Sequence, residues 1–231
     1  MQEIPSYIDF LLIATAIISL VWFYIASRSK IFVILALAWG ILQSVLAANE
    51  FYLATDKMPP RIMLFGIVPT FFMILLVFLS PTGRSFIDRI NLKTLTYFHS
   101  IRVAVELVLA MLVYQQVVSV YMSYEGTNFD ILSGISAPII AYLVFRSQKH
   151  HYKLLLWWNV IALLLLLNVV ITAVFAFPSP FQLLAFDQPN LAILHFPFAL
   201  IPTLIVPMVI FAHLVAFRQI RNGLKTSRDG S

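Results

Sequence analysis

Cysteine is absent from the chain, which removes disulfides, thiolate metal sites and thiol nucleophiles from consideration. Charge is scarce as well. Asp, Glu, Lys and Arg make up 11% of the 231 residues, against 61% hydrophobic, and the mean hydropathy is +0.93. A domain of that composition in water would expose a large apolar surface, so a lipid bilayer is the expected solvent. The first residues, MQEIPSYIDF, lack the basic stretch of a cleaved signal peptide, so the apolar run from Tyr7 is expected to be retained as a membrane span. H-E-x-x-H, G-x-S-x-G and P-loop patterns are missing, and no lysine falls in an expected span, which excludes a retinal Schiff base. The net charge of +5 does not point to nucleic acid, because the basic residues sit in short segments between apolar ones.

What is present is a succession of apolar stretches. About 20 helical residues cross ~30 Å of hydrocarbon. That length predicts an all-α polytopic protein, one seven-helix transmembrane domain over residues 1–231. The spans run roughly Tyr7–Ala26, Ile31–Leu53, Ile62–Leu79, Leu95–Met122, Ile131–Phe145, Leu154–Phe177 and Leu191–Phe217, and residues 218–231 form a basic tail. Lys and Arg set the direction. Twelve of them (Arg28, Lys30, Arg84, Arg89, Lys93, Arg146, Lys149, Lys153, Arg218, Arg221, Lys225, Arg228) fall on one side, and only Lys57 and Arg61 on the other. The rule that positive loops stay inside places the N-terminus outside and the C-terminus in the cytoplasm. Acidic residues (Glu3, Asp9, Glu50, Asp56, Glu125, Asp130, Asp187) mostly fall on the outer side.

An internal repeat is legible in the same stretches. Trp39, Asn49 and Pro59 match Trp158, Asn168 and Pro178, each 119 residues on. Asp9 pairs with Asp130, Arg28-Ser29 with Arg146-Ser147, and Pro69-Thr70 with Pro202-Thr203. The competing explanation is chance similarity between apolar segments, but Trp, Asn and Pro are not what makes such segments alike. The repeat predicts two parallel three-helix halves, about 7–79 and 129–217, joined by a linker helix at about 95–122. This plan resembles that of small SWEET-type sugar transporters and of the KDEL receptor. The Pro-Gln dipeptide of those relatives is absent, so the likeness is one of architecture. The segments FHSIRVAVELVL, YEGTNFDILSGISAPIIAYLVF and PSPFQLLAFDQPN resemble an uncharacterised group of bacterial seven-helix membrane proteins. That resemblance implies a bacterial inner-membrane setting and carries no activity.

Three ionisable residues stand inside the fourth stretch. His99, Arg102 and Glu106 fall at i, i+3 and i+7, on one helical face, and Arg102 and Glu106 are spaced for an ion pair along the helix. An unpaired charge at mid-bilayer costs about 2.5–3.5 kcal/mol on insertion scales, so such residues mark function or a specific partner. His213 in the last stretch is expected at the depth of His99. If the two helices touch, the histidines are candidates for a metal or haem site, or for a proton or substrate relay with Arg102 and Glu106. The plain structural alternative is that they fix helix packing. A second polar set, Gln43, Asn49, Glu50, Asn168, Asp187, Gln188, Asn190 and His195, is a candidate outer or midplane cavity, with Asn49 and Asn168 at matching repeat positions. Pro69, Pro138, Pro197, Pro202 and Pro207 interrupt apparent spans and favour bent helices.

These features leave three readings. One is a transporter-like protein binding a small molecule or ion in a polar cavity, with proton coupling through Glu106, Arg102 and His99. Another is a membrane-embedded enzyme or redox protein using a metal or haem at His99 and His213. The last is a sensor or assembly factor with no chemistry of its own. The bilayer is the partner common to all three; neither substrate nor oligomeric state is legible.

Overall fold

The computed structural model describes residues 4–55, 58–146 and 151–229, with side chains to Leu224. Lys57, Lys149, Glu3 and Asp56 of the charge pattern and Ser147 of the repeat lie outside the described residues. The fold is all-helical, with 76% helix and no strand among the described residues. Among the described residues nine α-helices follow in order: α1 (Ser6–Ser27), α2 (Lys30–Ala48), α3 (Val68–Leu79), α4 (Pro81–Arg89), α5 (Leu92–Phe98), α6 (Ile101–Tyr114), α7 (Ile131–Phe145), α8 (Tyr152–Phe175) and α9 (Val206–Asp229). Among the described residues five helical stretches are long and apolar enough to cross a membrane: α1, α2, Leu92–Tyr114, α8 and Ile201–Leu224. A sixth is added if Met63–Leu79 and α4, which meet at 90°, count as one broken span. The protein is a membrane protein by this measure. At 15 residues, α7 is roughly 22 Å long, short of a ~30 Å core.

Local chemistry explains where the helices begin and stop. Arg28 closes α1 in a left-handed conformation (φ 54°), its N–H donating to Tyr24 O. Ser29 then caps α2, its hydroxyl accepting from Phe32 N. Ser80 caps α4 with Pro81 at the first helical position, which turns the chain sharply after α3. Asn91 caps α5 by accepting from Thr94 N. Between α5 and α6 the backbone tightens to i+3 bonds, Arg102 N to His99 O and Val103 N to Ser100 O, so two short helices make one span with a local overwinding.

The fourth expected stretch, Leu95–Met122, is shorter than the sequence predicts. Its helix ends at Tyr114 because Gln116 takes a left-handed conformation (φ 59°), and Val117 N donates back to Leu112 O. The segment that follows folds inward: Val118, Ser119, Met122 and Asn128 are buried. The last stretch likewise begins its helix at Ile201 and not at Leu191, after a short 3₁₀ turn at Ala192–Leu194.

Two π-helical turns, Met63–Ile67 and Ile201–Ile205, each run into an Ile-Val-Pro sequence. Proline has no N–H, so Pro69 frees the carbonyl of Phe65 and Pro207 that of Thr203. α2 supplies both missing donors. Gln43 Nε2 donates to Phe65 O at 3.2 Å and Trp39 Nε1 to Thr203 O at 2.9 Å. The turns meet where Gly66 faces Thr203; a Cβ on Gly66 would lie 2.5 Å from Thr203 Cγ2. The rest of the packing is centred on the last helix. In Ile201–Leu224 72% of the apolar window is buried, against 17% in α2, whose Ile31, Ile34 and Leu35 face outward.

Candidate functional site

The three ionisable residues of the fourth stretch are all buried, and the α5–α6 span presents them to α7, α8, α9 and the turn before α7. Arg102 does not form the ion pair with Glu106 for which the spacing is suited. Its Nε and Nη2 both bond Asp130, with Nε to Oδ2 at 2.6 Å. Nη2 also donates to Ala162 O at 2.8 Å, and Nη1 to His213 Nε2 at 3.2 Å. Asp130 stands at the N-cap of α7 but makes no capping bond, because both its oxygens are committed to the guanidinium. A fork of this kind suits Arg and not Lys. The approach is close enough to need Gly134, where a Cβ would fall 2.7 Å from Val103 Cγ2 and 2.9 Å from Val103 N.

Since Arg102 only donates, His213 Nε2 accepts, and the ring proton is on Nδ1. From there it donates to Asn159 Oδ1 at 2.9 Å, and Asn159 Nδ2 donates to Leu155 O at 3.0 Å. His99 and His213 do meet, with ring centroids 4.2 Å apart, and Trp158 packs edge-on to His99 at 5.3 Å. Both nitrogens of His213 are thus engaged by protein. Among the described residues no group of three or more His, Asp or Glu gathers as a metal site. The Nδ1 of His99 is buried without a partner among the described residues.

Glu106 stands apart from this lattice. Its Oε2 accepts from Asn128 Nδ2 at 2.7 Å, and among the described residues no donor reaches Oε1 and no cation pairs with the carboxylate. Asn128 links the two halves of the site: Nδ2 also reaches Met122 O at 2.9 Å, and Oδ1 accepts from Asp130 N at 2.9 Å. Glu106 and Asp130 form the acidic edge of an otherwise apolar cavity of about 110 Å³. Its walls come from the first π-turn and α3, from α6 and α8, and from the second π-turn and α9.

The second polar set does not converge. Gln43 is buried, donating to Phe65 O and accepting from the Tyr52 hydroxyl. Asn49 and Asn168 are both exposed and satisfy backbone carbonyls, of Val45 at 2.8 Å and Thr127 at 2.8 Å. Glu50 and Asp187 are exposed. Asn190 is buried and accepts from Ser119 N at 2.9 Å, while Gln188 donates to Val118 O at 2.5 Å, so these two anchor the inward segment. His195 is half-buried, and burial draws its imidazole below the usual value. Sequence reasoning misses Asp130, Asn128 and Asn159 as partners of the inner group. The signal for the first is the arginine itself, which at that depth demands a carboxylate.

A family model described as a domain of unknown function, DUF8737, matches residues 59–221. The chain belongs to this family. The match covers α3 to α8 and most of α9, and with them every residue of the inner polar group. No curated protein and no solved structure matches the chain.

Proposed function

We propose that this is a small-molecule transporter-like protein of the bacterial cytoplasmic membrane, coupled to protons through Glu106. One observation carries the reading: a buried carboxylate without a cation partner among the described residues borders an apolar cavity between the two π-turns, α6, α8 and α9. Arg102 is neutralised by Asp130, so the buried group holds one guanidinium and two carboxylates. An ionised Glu106 leaves one negative charge uncompensated, and a buried charge of that kind takes up a proton or a counter-charge. Exchange of one for the other is the elementary step of a coupled carrier. Asn128 bonds both carboxylates' segments and transmits the change to the Arg102 lattice.

In this reading the chain crosses seven times, with the N-terminus outside and the C-terminus in the cytoplasm. α3 is the third span and α7 a short fifth. The basic residues Arg28, Lys30, Arg84, Arg89 and Arg218 support the direction. Two parallel three-helix halves flank the α5–α6 span. The paired π-turns support that plan and move its register: Ile67-Val68-Pro69 corresponds to Ile205-Val206-Pro207, 138 residues on. Both turns border the cavity, and π-turns often accompany functional sites. They are the natural places for the walls to bend.

The test works whichever substrate is carried. Proteoliposomes are loaded with an isotope-labelled bacterial small-molecule extract, and an inward proton gradient is imposed. At least one species leaves wild-type vesicles faster than Glu106→Gln vesicles, as read by mass spectrometry. Identical retention profiles for the two proteins would end the coupled-carrier reading.

A further inference from the structure

The cavity restricts what can bind beside Glu106, and three of its properties act together. Its volume of about 110 Å³ is on the scale of an engineered cavity of about 150 Å³ that admits benzene, so it suits one ring or a chain of roughly six carbons. Its walls are aliphatic and aromatic, among them Ile67, Phe71, Leu109, Leu166 and Val169. Its acidic edge has one carboxylate already neutralised, Asp130, and one that is not, Glu106. A bare inorganic cation finds too few oxygens there to replace its water shell. A neutral apolar molecule fits the walls but leaves the free oxygen of Glu106 unanswered.

Resting on the reading above, we infer that the cavity binds a small lipophilic ammonium ion, its apolar body against α3, α8 and α9 and its N–H donated to Glu106. The organic cation and the proton compete for the same carboxylate. Arg102 and His99 on the same span, Asp130 from the turn before α7 and His213 from α9 are the charged and titratable groups around it; α3 and α8 present only apolar side chains to the cavity. None of these is a free cation, so a bound ammonium ion meets no unbalanced repulsion. Asn128 keeps one oxygen of Glu106 fixed and leaves the other for the ligand.

The test uses the full-length protein in lipid nanodiscs, with benzylamine as probe and benzyl alcohol as its neutral counterpart. Saturable thermal stabilisation is the readout. Benzylamine at pH 8 is expected to act at tenfold or more lower concentration than benzyl alcohol. Its half-saturating concentration rises tenfold or more at pH 5, as protons occupy Glu106. Glu106→Gln abolishes the preference for the amine. Val169→Phe, which fills the wall without touching the acidic edge, removes binding of both molecules and decides the matter if the first variant does not fold. Equal response to amine and alcohol in the wild type overturns the inference, as does no response to either. Loss of amine preference with an intact Glu106-dependent efflux would sink this ligand class alone. Loss of that efflux with amine preference intact would sink the carrier and leave the binding site.

Discussion

Arg102 and Glu106 lie one turn apart on the same helix and are almost equally buried, yet their surroundings differ in kind. The guanidinium makes four hydrogen bonds, to Asp130, Ala162 O and His213. The carboxylate has one neutral donor and an apolar cavity. A satisfied buried ion pair holds segments together: here it ties α6 to the start of α7, to α8 and to α9. An unsatisfied buried carboxylate does the opposite, since it adds a charge that some other species must answer. One span therefore carries a buried charge that the protein answers in full and, a turn away, one that it does not.

The largest effect separates them outright. Asp130→Ala leaves Arg102 buried without its counter-charge, a loss expected to cost about 3–5 kcal/mol. Thermal unfolding in detergent should show a strongly lowered midpoint or no folded protein. A midpoint within experimental scatter of the wild type would break the comparison, because Arg102 would then not depend on its partner. Glu106→Gln should move stability by less than about 1 kcal/mol in either direction, since Asn128 still finds an amide oxygen to donate to. A loss like that of Asp130→Ala would make Glu106 a second structural anchor.

Gly134→Ala sharpens the contrast from the backbone side. The added methyl group meets both a side chain and a main-chain nitrogen of Val103, so α7 has to move away from α6. Overpacking of this kind costs typically about 1–3 kcal/mol, and here it also draws Asp130 from Arg102. Unfolding midpoints of Gly134→Ala, Arg102→Ala and the double variant test this. Additive losses would show that the close approach and the ion pair are independent.

Much of the helix layout was legible because a long apolar run marks a helix withdrawn from water. α1, α2, α7 and α8 fall within a few residues of the expected stretches. The misplaced boundaries, at Tyr114 and Ile201, share one cause. Val117, Val118 and Met122, and most of residues 191–200, are apolar side chains buried by protein, and an apolar run cannot say whether lipid or protein covers it. The inner site was half legible. His99, Arg102, Glu106 and His213 were visible as ionisable residues in apolar context, and the matched depth of the two histidines was legible, but not that their helices touch. The partner of Arg102 was not, because local spacing favoured Glu106 while Asp130 arrives through a loop that folds inward. Gln43 was visible as a polar residue, but its service to a carbonyl freed by Pro69 requires knowing which helices cross.

Trp39→Phe reaches that crossing with a smaller expected effect. It removes the indole donor from Thr203 O, which keeps the Thr70 hydroxyl at 3.4 Å. Hydrogen bonds between membrane helices average about 0.6 kcal/mol, so a shift of that order in the unfolding midpoint is expected. No shift would mean that the π-turn carbonyl is satisfied without α2.

The smallest effect belongs to the ion pair far from the cavity. Arg218 forks onto Asp88 with two bonds of 2.7 Å, and Gln219 Nε2 donates to Ile87 O and Ile90 O, so α9 is fastened to α4. The hydrogen bond from Arg218 holds the Asp88 carboxyl below its usual range. A depressed carboxyl stabilises the fold above its unfolded value near 3.9, and that contribution fades as pH falls through the folded value. Both side chains are partly exposed, at 23% and 38%, so the pair is worth about 0–1 kcal/mol and less in salt. Arg218→Ala should therefore lower the midpoint slightly at pH 7 and by less at pH 3, and high salt should erase the difference. A salt-independent loss as large as that of Asp130→Ala would mean that burial is not what separates a weak ion pair from a strong one in this protein.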